Sequence, residues 1–163
     1  MGTRKDELTR YKELVKSINT GIMMTRMPGD EFKSRPMTTC HVDDNGDLWF
    51  FTDEFSEKIS DISKDSLVYV NYADPSKKTF VVLCGTASIN TDEELKKKYW
   101  NPSLKAWFPK GLDDTRLALI KVEPIEVEYW SGHSNKIVIL FKMISSIISR
   151  PSAHNKAYKK ISI

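Results

Sequence analysis

The chain has 163 residues, 40% of them hydrophobic and 29% charged, with a formal net charge of +3. That length supports one domain with a real core and is short for two. The composition is ordinary for a globular chain, and the small net charge argues against nucleic acid as a partner. The charge is uneven, however: from Ser131 onward there is no acidic residue, and Lys136, Lys142, Arg150, Lys156, Lys159 and Lys160 make the tail basic. Met1 to Arg10 has no apolar signal core, and Ile137 to Ile148 falls short of the roughly 20 apolar residues of a membrane span.

In chain order, Asp6 to Ile18 reads as a helix, because Leu8, Tyr11, Leu14, Val15 and Ile18 share one face. Thr20 to Met27 reads as a strand that ends at Pro28-Gly29-Asp30. Ser34 to Val42 and Asp47 to Thr52 are two more strands, joined by Asp43-Asp44-Asn45-Gly46, a strong hairpin signal. A short helix is expected over Phe55 to Lys64. Strands follow over Leu67 to Ala73 and Thr79 to Ile89, the second carrying Gly85, which signals a bulge or a close approach. Thr91 and Glu94 have capping-box spacing before a helix over Asp92 to Trp100, and a second short helix spans Pro102 to Phe108. Arg116 to Trp130 is a long strand, and Pro124 within it requires an edge position or a bulge. Lys136 to Ser149 is read as a last helix, despite its β-branched residues. About six hairpin-linked strands suggest a closed or split antiparallel barrel, since closure removes exposed edges.

Catalytic signatures such as the nucleophile elbow or a glycine-rich phosphate loop are absent. Cys40 and Cys84 form no close pair, and His41, His133 and His154 are far apart, so no metal site is expected. Free thiols suit a reducing cytoplasm. Cys40 beside His41 suggests a nucleophile and base, but neighbours on a regular strand face opposite ways. Three features remain. Arg35, at the start of a strand, suits a phosphate or a surface ion pair. Ser56 and Lys58 stand where a strand hands over to a helix, suiting an anion, or simply a cap and a solvated lysine. The aromatics Tyr99, Trp100, Trp107, Phe108, Tyr129 and Trp130 suit a core, an interface or the wall of a planar ring.

Arg35-Pro36-Met37, Trp49-Phe50-Phe51-Thr52, Ser56-x-Lys58, Cys84-Gly85-Thr86-Ala87, Trp107-Phe108-Pro109-Lys110-Gly111 and Glu128-Tyr129-Trp130, taken in this order, resemble the pyridoxamine 5′-phosphate oxidase-like family, in its general stress protein branch. The resemblance covers about residues 7 to 130. It implies a mainly β fold: a six-stranded antiparallel split β-barrel with Greek-key order and flanking helices. The single domain would fill residues 1–163, with a basic, partly helical segment over 131–163.

The resemblance also implies a cytoplasmic homodimer that binds FMN, with FAD as the alternative, in clefts at the subunit interface. Arg35, Ser56 and Lys58 would meet the phosphate. Pro36, Met37, Phe51 and Thr52 would lie along the ring and ribityl chain, and Trp107 would come from the neighbouring subunit. No catalytic residue, electron donor or acceptor is assigned. The sequence departs from true vitamin oxidases in two places. Their Ser-Arg-Lys segment is Ser56-Glu57-Lys58 here, and their Arg-Leu-His-type substrate motif is replaced by Ser131-Gly132-His133-Ser134-Asn135-Lys136. Oxidation of pyridoxamine phosphate is therefore not expected. The expected function is a flavin-dependent oxidoreductase of the stress type. The alternatives are a non-catalytic flavin or nucleotide carrier or sensor and, for the tail alone, a role at a lipid surface.

Overall fold

Strand β6 (Leu117–Ser131) is long enough to pair with three others, and this closes the fold. The computed structural model describes residues 3–132 and 134–140. The remaining strands are β1 (Thr20–Arg26), β2 (Phe32–Val42), β3 (Leu48–Asp53), β4 (Leu67–Asp74), β5 (Thr79–Asn90) and β7 (Ser134–Leu140). The helices are α1 (Arg4–Ile18), α2 (Glu57–Lys64) and α3 (Glu93–Tyr99). All pairings are antiparallel, in the order β3-β2-β1-β4-β5-β6-β7, with β3 returning to β6. The first six strands therefore form a closed barrel. Through α2, β4 comes back beside β1, which gives the Greek-key order.

On the seam, Phe50 lies opposite Ile120 and Leu48 opposite Val122. On the other side of β6, Ile89 meets the same Ile120 and Ala87 the same Val122. Among the described residues, the β3 pairing ends at Val122 and the β7 pairing begins at Val127, with β5 alone beside β6 in between. Pro124 falls in that stretch, at a bulge, where a strand tolerates a residue without an N–H. It lies opposite Gly85 at a register shift, so the expected bulge and the expected close approach occur together. A Cβ on Gly85 would stand 2.6 Å from the carbonyl oxygen of Glu123.

The four apolar residues Leu48 to Phe51 are all buried because β3 is covered on both faces. Leu48 and Phe50 face the barrel interior with Met23, Met37, Val68, Val70, Tyr72, Val81, Leu83 and Ile120. Trp49 and Phe51 face outward, under α3 and the 3-10 turns Pro102–Ala106 and Gly111–Asp113, with Leu104, Leu119, Trp100 and Phe108. Helix α1 closes one end of the interior. Its buried Tyr11, Leu14 and Val15 join the inner core, and the Tyr11 hydroxyl donates to the Gly46 carbonyl at 3.1 Å. Gly46 sits at φ 89°, so the hairpin turn needs glycine for its backbone as well as for the approach of Leu8. The Tyr129 hydroxyl donates to Glu7 and ties α1 to β6.

Three expectations change. Residues 134–140 form β7, with Ile139 opposite Glu128 and Val138 opposite Tyr129, in place of the start of a helix. Their β-branched side chains favour the extended chain, and β6 offers an unpaired edge there. The remainder of that expected helix, and most of the partly helical tail, lies outside the described residues. Helix α3 is capped by Asp92, which accepts from the Leu95 amide at 2.9 Å, because the Asn90 side chain takes the Asp92 amide and holds Thr91 in the turn. The capping box occurs at Thr3 and Asp6 instead. The second short helix is a single 3-10 turn.

Gly85→Ala should lower stability by about 1–3 kcal/mol, because the added methyl group meets backbone that cannot yield cheaply. Urea unfolding followed by far-UV circular dichroism measures it.

Candidate functional site

The antiparallel pairing of β1 with β2 sets Thr25 opposite Lys33 and Met23 opposite Arg35, at the end of the barrel beside α2. Thr25 points inward and is fully buried. The Arg35 Nη1 donates to Thr25 Oγ1 at 2.9 Å, and Nη2 donates to Asp61 Oδ2 at 3.3 Å. Thr25 Oγ1 donates in turn to the same Asp61 oxygen at 3.0 Å. The three side chains close a triangle that joins β1, β2 and α2. Only 17% of the Arg35 side chain and 12% of the Asp61 side chain are exposed, so the ion pair is held mostly away from water.

Beside the triangle, β3 gives way to α2. Thr52 is buried at the strand end, and its hydroxyl accepts from the Lys58 ammonium at 3.0 Å. Ser56 Oγ lies 3.3 Å from the same hydroxyl. Ser56 occupies the N-cap of α2, yet its side chain makes no capping bond. Burial lowers the Lys58 amine from its ordinary value, and the like charge of Arg35 adds to this while Asp53 opposes it. Arg35 and Lys58 therefore share one electrostatic corner. Glu57, one residue away, is exposed and ion-paired with Lys33, which holds its carboxyl below the usual range.

Arg35, Thr52, Ser56 and Lys58 thus come together. The other expected residues are more dispersed. Pro36 is exposed. The Met37 side chain belongs to the inner core, whereas Phe51 belongs to the outer one, 5.4 Å from Trp100 and 6.4 Å from Phe108 between ring centres. Trp107 is 71% exposed and stacks on no ring among the described residues. Thr25, Asp61 and Lys33 are additions that sequence reasoning missed. Asp61 stands three residues after Lys58, a spacing that suggests a pair within the helix. The fold gives Asp61 to Arg35 instead.

Cys40 and His41 need a corrected argument. The register shifts between Thr39 and His41, so strict alternation fails and both side chains reach the outer cluster around Tyr99. They still do not form a catalytic pair. The Cys40 thiol donates to the Trp49 carbonyl at 3.1 Å, burial pushes it up to about 12, and His41 stacks on Tyr99 with ring centres 4.4 Å apart. A separate open cleft of about 560 Å³ lies between α1 and the β4–β5 turn, bordered by Leu14, Lys77, Lys78 and Ser131, and includes none of the corner residues. Among the described residues, no group of three or more His, Cys, Asp or Glu side chains could hold a metal, and no helix is long and apolar enough to cross a membrane.

A family profile described as pyridoxamine 5′-phosphate oxidase like matches residues 6–153. The chain is similar to protein bli-3 of Neurospora crassa, with 29% identity over 133 residues, or 76% of this chain and 64% of that protein. It is similar to the crystal structure of general stress protein 26 from Bacillus anthracis, with 34% identity and a TM-score of 0.62 over 72% of this chain and 92% of the other. The fold is also that of the general stress FMN/FAD binding protein from Xanthomonas citri, with 23% identity and a TM-score of 0.66 over 83% and 95% of the two chains.

A thiol raised to about 12 is scarcely ionised at pH 8. Alkylation of Cys40 by iodoacetamide in the native protein should therefore be slower than that of a free thiol by a factor on the order of a thousand. Mass spectrometry of the labelled peptides reads this directly.

Proposed function

The chain belongs to the pyridoxamine 5′-phosphate oxidase-like family, and on that premise we propose that it binds a flavin by its phosphate end at the Arg35–Lys58 corner and serves as a flavin-dependent oxidoreductase of the general stress type. The observation that carries the reading is Lys58: a half-buried ammonium beside Arg35 whose described contact is a hydroxyl. Such a group gains by meeting an anion, because burial has already removed much of its water. The residues present fit a phosphate. Lys58 and Ser56 offer donors, and the triangle with Thr25 and Asp61 holds Arg35 in position. Met37 and Phe51, committed to two cores, stiffen the wall on which a planar ring would rest. The naming of the Xanthomonas citri relative as an FMN/FAD binding protein supports the same ligand class. When bound, a flavin supplies reversible hydride and electron transfer. The protein groups orient it, and no side chain here is required as acid or base. If the bound flavin does not turn over with a reductant and oxygen, the carrier or sensor reading takes precedence.

The working unit in this proposal is a homodimer, and its location is cytoplasmic. Ile22, Phe32, Phe80 and Val82 are large apolar side chains between 37% and 44% exposed on the outer face of the barrel wall. Ile22 and Val82 lie in one row across β1, β4 and β5, through Asn71. An apolar patch of this kind is characteristic of an interface. The exposed Trp107 suits a reach across to a partner subunit. The chain spans 64% of the length of protein bli-3, so the activity of that whole protein is not carried over to it.

Purified protein should show flavin absorbance between roughly 350 and 500 nm, or quench added flavin fluorescence. Lys58→Ala and Arg35→Ala should each weaken flavin binding by about tenfold or more, the usual worth of a charge-assisted hydrogen bond. Light scattering should give twice the chain mass. Colourless protein that leaves flavin fluorescence untouched would overturn the reading.

A further inference from the structure

Lys58 differs in its surroundings from other lysines of the chain. Lys33 is ion-paired with Glu57, and Lys97 with Glu94 at 2.9 Å. A carboxylate partner keeps an amine protonated, and the hydrogen bond to Glu94 accordingly raises Lys97 from its ordinary value. Lys58 instead donates to the Thr52 hydroxyl at 3.0 Å. A neutral amine can also make that bond, and it then has a lone pair free to attack. Burial and the like charge of Arg35 both favour the neutral form, against the opposing charge of Asp53. The side chain is only half-buried, so a small molecule can still reach it.

An electrophile that carries a phosphate is drawn to the same corner. Arg35 uses two N–H donors on Thr25 and Asp61, and its guanidinium has others. The Ser56 hydroxyl makes no capping bond and lies 3.3 Å from the Thr52 hydroxyl that Lys58 also meets. In an acyl phosphate, a phosphate oxygen is bonded directly to the carbonyl carbon. A phosphate held between Arg35 and Ser56 therefore sets that carbon close to Lys58 Nζ, and proximity replaces a chance encounter.

We propose that Lys58 is an acylation site, at which a small acyl phosphate docks its phosphate on Arg35 and Ser56 and transfers its acyl group to the Lys58 amine. The proposal rests on the phosphate-binding reading of the corner given above. The ammonium first gives one proton to water. Nζ then attacks the carbonyl carbon, an amide N–C bond forms, and the C–O bond to the phosphate breaks. The electron pair of that bond leaves with the phosphate, which takes up the second proton shed by the nitrogen. No oxidant or reductant takes part. The product is a neutral side chain, so the corner loses a cation and part of its hold on a flavin phosphate.

The test is treatment of the full chain with acetyl phosphate at neutral pH, with peptide mass spectrometry reading the acetyl group at Lys58 and at the exposed Lys105. Lys58 should be acetylated on the order of tenfold faster than Lys105. Inorganic phosphate and FMN should each slow Lys58 and leave Lys105 unchanged. The N-hydroxysuccinimide ester of acetic acid, which has no phosphate, should lose most of the preference for Lys58. Ser56→Ala should slow Lys58 about threefold and Arg35→Ala about tenfold. Should Arg35→Ala unfold, the phosphate competition in the wild type decides. Equal rates at the two lysines with acetyl phosphate overturn the inference, and so does a preference just as large with the phosphate-free ester. The flavin reading stands in either case if the same protein still quenches FMN fluorescence. Selective acetylation that phosphate suppresses, in a protein that leaves FMN fluorescence untouched, overturns the flavin reading and supports the acylation site.

Discussion

The return of β3 to β6 is the constraint on which the rest of the molecule depends. Without that seam the sheet would have two open edges, and the outer core would have no floor. With it, residues 119–122 of β6 are paired on both sides and β3 is buried on both faces. The same pairing places the end of β3 beside the start of β6, where Asp53 meets Arg116. The chain leaves the barrel at Thr52 and enters α2 at a defined point. A closed barrel of six strands thus delivers one rigid exit, and the candidate site is built at that exit.

The corner is held by a division of labour between charged and neutral groups. Asp61 and Thr25 fix Arg35, Thr52 fixes Lys58, and Ser56 stays uncommitted as a cap. Burial is the main reason the Lys58 amine is lowered, and the like charge of Arg35 adds to it, because two cations within each other's field repel. That arrangement persists because Asp61 offsets Arg35 from within the fold.

Many elements are legible in the residue pattern alone. Helical spacing locates α1, and β-forming runs bounded by turn residues locate the strands up to β6, to within about two residues. Asn45-Gly46 announces its hairpin, and Pro124 with Gly85 announces their bulge. The exceptions are local competitions. Asn90 moves the start of α3 from Thr91 to Asp92 by capturing an amide. The edge of β6 draws residues 134–140 into a strand. A bulge at Cys40 defeats the rule of alternation, although the raised thiol leads to the same conclusion about reactivity.

The sequence by itself determined the barrel's parts and the family, since both are written in residue types at short spacings: apolar alternation, turn residues, and the ordered motifs from Arg35 to Trp130. Only the tertiary structure decided the partnerships. Asp61 lies 26 residues from Arg35 and 36 from Thr25, and nothing local favours those contacts over the helical neighbour Lys58. Charge pairing acts through space and depends on burial, and burial is set by how β1, β2 and α2 meet once the barrel has closed.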